Sequence, residues 1–238
     1  MMNGFVLTGL LLSASLSFAA GVDRKAELKA AILNIAADNA ANTVGELPIT
    51  RQKLEPLVEE LVALNNGEPT VDEQLELIEG AWKEVWSDDR EPERPGSRLL
   101  RDTIYQVVSA QGYFYNIAVS ETQIPNGPKL ENTTFLRGAY TLDSVANGLR
   151  IQFTDIGFLP GRISSGLLGQ IEKAESDTSY LKKFPFDLKA PKGPINQTGL
   201  LRNVYVDAEL RIARGVADID GIHDLLILTR ADEARVSH

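Results

Sequence analysis

Few residues of this chain are of a type and spacing that could do chemistry. Asp207, Glu209 and Arg211 recur two apart in the stretch Asn203 to Gly215, NVYVDAELRIARG, and Arg214 follows close behind. On one extended strand that spacing puts both acids and Arg211 on a single face. A carboxylate beside a guanidinium there could do acid–base work on an apolar substrate, with Asp207 and Arg211 as the pair; with no substrate it is an ion-pair patch. The rest of the catalytic inventory is thin. There are two histidines, His223 and His238. A Ser-His-Asp set would have to use His223, yet Ser164 and Ser165 sit in GRISSG, without the G-x-S-x-G spacing of a nucleophile elbow. There is no cysteine, which excludes thiolate catalysis, disulfides and the usual zinc sets. Asp88, Asp89, Glu91 and Glu93 are interrupted by Arg90, Pro92, Arg94 and Pro95, so no calcium loop forms. Gly157, Gly161, Gly166 and Gly169 match neither phosphate-binding glycine pattern. The expectation is no catalytic residue, no metal and no cofactor.

The bulk numbers narrow the partners. The chain has 238 residues and a net charge of −9. An acidic surface argues against nucleic acid and against general adhesion to anionic lipid. The N-terminus carries no charged side chain until Asp23, has an apolar run from Phe5 to Leu12, and places small residues at Ser17 and Ala19. That grammar predicts a secretory signal peptide over residues 1–20, and so an exported, periplasmic or extracellular protein. The alternative is an uncleaved N-terminal anchor.

Two periodicities organise the remainder. Residues 21–79 read as helical. Leu28, Ala31, Ile32 and Ile35 repeat at the spacing of one helix face, as do Leu57, Val58, Leu61 and Val62. Pro56 is expected in the first turn of its helix, where a missing amide costs nothing. Thr70 and Glu73 have the spacing of a capping box. From Gly80 the pattern becomes strand-like and continues to residue 232, leaving a tail over 233–238. Tyr115 and Ile117 alternate with Phe114 and Asn116; Leu149, Ile151 and Phe153 follow Asn147-Gly148, a strong hairpin signal; Asp224 to Arg230 forms another strand. Seven or eight strands over about 150 residues suit a sandwich or a small barrel.

Gly80-Ala81-Trp82 at the first strand, followed far downstream by VYVDAELRIARG and DLLILTR, resembles the plastid lipid-associated protein (plant fibrillin) family. The likeness rests on Tyr205, Val206, Asp207, Leu210, Arg211, Ile212, Arg214, Gly215 and Arg230. The N-terminal segment looks secretory rather than like a plastid transit peptide, which suggests a bacterial, exported relative. The resemblance implies a mainly β, α+β fold: a lipocalin-like antiparallel β-barrel over 80–232 preceded by two or three helices. It implies binding of lipids, isoprenoids or similar apolar molecules, with no chemistry, and a structural, end-plugging role for Trp82.

On that reading the apolar members of the alternating strands line the barrel: Tyr115, Ile117, Leu149, Ile151, Phe153, Val206, Leu210 and Ile212. Asp207, Arg211 and Arg214 form an ion-pair patch on the outer face, under the helices. In KKFPFDLKAPKGP the residues Lys182, Phe184 and Phe186 are a candidate membrane-touching tip. The rival is a barrel filled by its own side chains, acting as a scaffold for lipid assemblies or a protein partner.

Overall fold

The computed structural model describes residues 8–40, 45–88, 98–123, 127–161, 166–177, 179–183, 195–217 and 223–231. Three helices come first: α1 (Thr8–Asp38), α2 (Leu47–Leu64) and α3 (Val71–Ile78). Residues 1–7 of the expected signal peptide and the tail 233–238 lie outside the described residues, as do Phe184 and Phe186. From Thr8 the chain is in α1, which continues through Ala20. No helix among the described residues is long and apolar enough to cross a membrane.

The Thr70–Glu73 capping box forms as its spacing requires, with Glu73 N–H donating to Thr70 Oγ1 and Thr70 N–H to Glu73 Oε2. Pro56 departs from expectation. Pro48 occupies the first turn of α2, and Pro56 lies inside that helix. Its ring is tolerated because the helix is held from outside: Leu47, Leu54, Val58 and Leu61 are buried against the sheet and α1.

The strands are β1 (Gly80–Ser87), β2 (Arg98–Val108), β3 (Tyr113–Gln123), β4 (Lys129–Asp143), β5 (Gly148–Pro160), β6 (Lys182–Lys183), β7 (Thr198–Val206), β8 (Leu210–Ala217) and β9 (His223–Arg230). A helix the sequence did not announce, α4 (Leu167–Ser176), lies between β5 and β6. Eight strands pair antiparallel in the order β4-β3-β2-β1-β9-β8-β7-β5, and β5 returns to β4, so the sheet closes into a ring with β6 appended to β5. Closure satisfies the edges that an open sheet would leave unpaired. The fold is α+β, and a mainly antiparallel ring with N-terminal helices is what the resemblance implied.

NVYVDAELRIARG is not one strand. β7 ends at Val206, Asp207 to Glu209 turn, and β8 starts at Leu210. Asp207 makes the turn: its Oδ1 accepts from the amides of Glu209 and Leu210, both at 2.8 Å, and its own amide donates to Leu210 O at 3.0 Å. A short carboxylate bonding its own following backbone competes with the strand ladder, and here it wins. The register also shifts between Asn203 and Tyr205. Val204 and Tyr205 therefore both pack on the helix side, while Val206 returns to the other.

Three buried clusters follow from these faces. α1 and α2 lie on the outside of β7, β8 and β9, joining Leu28, Ile32, Leu54 and Val58 to Trp86, Leu210, Ile212, Leu225 and Ile227. α4 covers the outside of the opposite wall, joining Ile171 to Tyr115, Ile117 and Phe135. Gly157 admits Leu181 there, since a Cβ at 157 would lie 2.6 Å from Leu181 Cβ. The third cluster takes residues from seven strands and so marks the inner face: Trp82, Val108, Phe114, Leu149, Ile151, Val206 and Leu228 among them. Val71 and Ile78 of α3 belong to it and close one end of the ring.

Candidate functional site

Alternation along each strand assigns the inner face residue by residue. Of the expected lining set, Leu149, Ile151, Phe153 and Val206 lie on it. Tyr115 and Ile117 do not; they face outward beneath α4. Leu210 and Ile212 face outward beneath α1 and α2. The expectation failed for these four because two opposite faces of the ring are covered by helices, so a strand there is apolar on its outside as well. Period-two alternation then identifies a face but not which one looks inward.

The same inversion moves Arg211. It was expected outside with Asp207; it is inside and fully buried, at 0% exposure. The two expected partners are on opposite sides of the sheet. Asp207 carboxylate meets Lys29 Nζ of α1 at 2.7 Å, and Glu209 meets the same Nζ at 3.1 Å. Arg214, on the outer face of β8, meets Glu55 of α2 through Nη1 at 3.0 Å and Nη2 at 2.5 Å. The ion-pair patch beneath the helices therefore exists without Arg211, and no Asp207–Arg211 pair is available for acid–base work.

These clamps carry electrostatic signatures. Burial disfavours the charged form of Asp207, yet Lys29, the two turn amides and the Tyr205 hydroxyl outweigh it and hold the carboxyl below its ordinary value. Burial likewise opposes ionisation of Glu55, and Arg214 and Arg51 outweigh it. The Tyr205 hydroxyl is pushed up by burial and by its hydrogen bond to Asp207.

Inside the ring Arg211 Nε donates to Asn203 Oδ1 at 2.7 Å. Asn203 Nδ2 donates to Gln74 Oε1 at 2.7 Å, and Gln74 Nε2 to Pro69 O at 2.5 Å. A buried polar relay thus runs from β8 through β7 to the start of α3. Neither Nη of Arg211 has a partner among the described residues. Burial, and to a smaller degree the nearby Arg230 charge, push the Arg211 guanidinium down to about 9.

Trp82 stands beside it. Arg211 Cζ lies 5.9 Å from the indole and Arg230 Cζ 3.9 Å from it. Trp82 Nε1 donates to Ile78 O at 2.8 Å, and Arg230 donates to Leu77 O and Glu79 O, so the last carbonyls of α3 are satisfied by the ring. Gly80 makes that join possible: its φ is +103°, and a Cβ would sit 3.1 Å from Arg230 Nη1. Trp82 thus joins the end of α3 to the ring.

The other end of the interior differs. The inner-facing Ile104, Ala118, Thr134, Leu136, Ile156 and Phe158 all keep partial solvent exposure. Of their outward neighbours, Ile117, Val119, Thr133, Phe135 and Gly157 are buried, while Thr103, Tyr105, Arg137 and Leu159 are half-buried. At this end solvent reaches the inner face, which a solid-cored ring would keep dry.

Among the described residues no group of His, Asp and Glu could hold a metal ion. A closed, strand-rich ring with helices packed on its walls is compatible with a binding or scaffold role. The PAP_fibrillin family profile matches residues 27–219. That is most of the chain, and the protein belongs to this family, the plastid lipid-associated or fibrillin family. The family is a lipid-associated structural one, not known for enzymatic activity. Comparison with curated proteins and with solved structures returned no match.

Proposed function

We propose that this protein is a non-enzymatic binder or carrier of a small apolar molecule, a lipid or isoprenoid, held on the inner face of the ring. The observation that carries the reading is the solvent-reached inner wall at Ile104, Ala118, Leu136, Ile156 and Phe158. Apolar inner residues that water can reach supply affinity when a ligand covers them, at about 25 cal/mol per Å² buried, less the cost of immobilising the ligand. An organic extract of protein purified from its natural host should contain a bound lipid or pigment by mass spectrometry. An empty extract, together with no binding of fluorescent lipid probes, overturns the reading.

A second reading is a self-filled ring serving as a scaffold on lipid assemblies or for a protein partner. The packed α3 end, with Trp82, Phe114 and Ile78 fully buried, favours it. It predicts a stable protein partner in pull-downs and no small-molecule binding. Under either reading we propose export through the N-terminal segment, with periplasmic or extracellular residence. Cleavage near Ala19 or Ala20 would retain Leu28, Ile32 and Ala36, the residues by which α1 packs on the fold. Mass spectrometry of the mature chain tests this. A peripheral lipid contact at Lys182, Phe184 and Phe186 belongs to the same proposal, and vesicle flotation of Phe184→Ser/Phe186→Ser protein tests it.

A further inference from the structure

Neither apolar packing nor the helix clamps account for Arg211 in the interior. Taking a guanidinium out of water is strongly unfavourable unless its donors are met and its charge is paired. Only the Nε is met here, by Asn203. Nη1 and Nη2 are both buried and both unpartnered. Glu84, the acid on the inner face in register with Leu228 and thereby with Arg211, makes no hydrogen bond to either Nη. A second cation, Arg230, lies on the same indole. This is a positive spot inside a protein whose net charge is −9.

Other unmet polar atoms lie in register with Trp82 on the neighbouring strands. Gln106 is the cross-strand partner of Trp82 on β2, and Asn116 is the partner of Gln106 on β3. Gln106 Oε1 and Asn116 Oδ1 are buried without partners. A buried acceptor left without a donor destabilises the fold. With the Arg211 donors beside Trp82, these acceptors form a polar patch on an otherwise apolar inner wall. From there the inner face leads past Asn116 to Ala118 and the open end.

We propose that Arg211 binds the headgroup of the ligand, and that this ligand is an amphipathic acid: one carboxylate on an extended apolar tail. The inference deepens the carrier reading and rests on it. The Nε side of the fork is taken by Asn203, which leaves the end-on Nη1/Nη2 edge, and two parallel N–H donors match two carboxylate oxygens. The tail lies along the inner wall toward Leu136, Ile156 and Phe158. The unmet acceptors of Gln106 and Asn116 take a donor from water or from a hydroxyl near the head. Burial lowers the guanidinium's proton affinity but leaves it charged at neutral pH, so the attraction is in force there. The residue lowers the stability of the ligand-free fold and is kept for what it recognises.

The test is a pair of titrations at neutral pH on the full chain, with cis-parinaric acid and its methyl ester, whose tails are identical. The acid should bind wild type at least tenfold more tightly than the ester. Arg211→Met should abolish that difference by weakening the acid and leaving the ester unchanged. Arg211→Lys, which keeps the charge but not the fork, should give an intermediate ratio and serves if the methionine variant fails to fold. Equal binding of acid and ester to wild type overturns the headgroup proposal and leaves the carrier reading standing. Binding of neither overturns the carrier reading and the headgroup proposal with it.

Discussion

Arg211 and Asn203 face each other across the β7–β8 hairpin inside the ring, Nε to Oδ1 at 2.7 Å, and among the described residues neither Nη of this fully buried guanidinium has a hydrogen-bond partner. The ligand-free protein therefore carries a destabilising charge at its centre. Replacing such a group by an apolar one of similar size is often neutral or stabilising. Arg211→Met should leave the ligand-free protein at least as stable at neutral pH as wild type by urea unfolding. A loss beyond about 2 kcal/mol, the cost of one orphaned buried amide, would show that the charge is paired after all.

That charge also predicts a pH dependence. The folded-state value of Arg211 is lowered by burial to about 9, well below that of an ordinary guanidinium. Above about 9 the unfolded chain holds this proton more strongly than the folded one, so folding gains stability as pH rises. Wild type should gain on Arg211→Met between pH 8 and pH 10.5 in paired unfolding curves. Parallel curves contradict the assignment.

The helix clamps respond in the opposite range. Asp207 and Glu55 are both held below their ordinary values of 3.8 and 4.5. Depressed carboxyls contribute stability above those values and lose it as pH falls through the folded ones. Glu55→Gln should cost about 1 kcal/mol at pH 7, since the pair is partly exposed, and should flatten the acid limb of the stability profile below pH 4.5. Lipid-probe binding should be unchanged, because Glu55 and Arg214 lie outside the ring.

Asp207 has a second job in the turn. Asp207→Ala strands two amides and the Tyr205 hydroxyl and should cost about 1–3 kcal/mol. Asp207→Asn keeps an oxygen for the amides while losing the Lys29 pair, and should recover most of that loss in thermal unfolding. If Asn is as damaging as Ala, the Lys29 pair rather than the turn dominates.

The sequence announced whatever was local. The capping box at Thr70 and Glu73, the Asn147-Gly148 hairpin and the strand starting at Gly80 needed only spacing and turn chemistry. α4 was missed because Leu167 to Ser176 has no side-chain cap and follows a Gly-Ser stretch that reads as a loop. The turn at Asp207 was missed because the alternation on either side of it stays in phase across the break; Asp-Ala-Glu between two apolar runs was the available signal. Inside and outside could not be told apart for Leu210, Ile212 and Arg211. Which face a helix covers is a long-range fact, and Leu28 of α1 is far in sequence from the strand it covers.

The carrier reading requires that ligand enter the ring between β2, β3, β4 and β5. Ala118 is on the inner face there, opposite Ile104 and Thr134, and partly exposed. Ala118→Trp fills that entrance without touching the clamps or α3. The direct measurement is the affinity of cis-parinaric acid for folded Ala118→Trp against Val145→Trp, which places the same side chain on a fully exposed turn position. At least a tenfold loss in the Ala118 variant alone is predicted. Equal affinity of the two variants would contradict binding inside the ring.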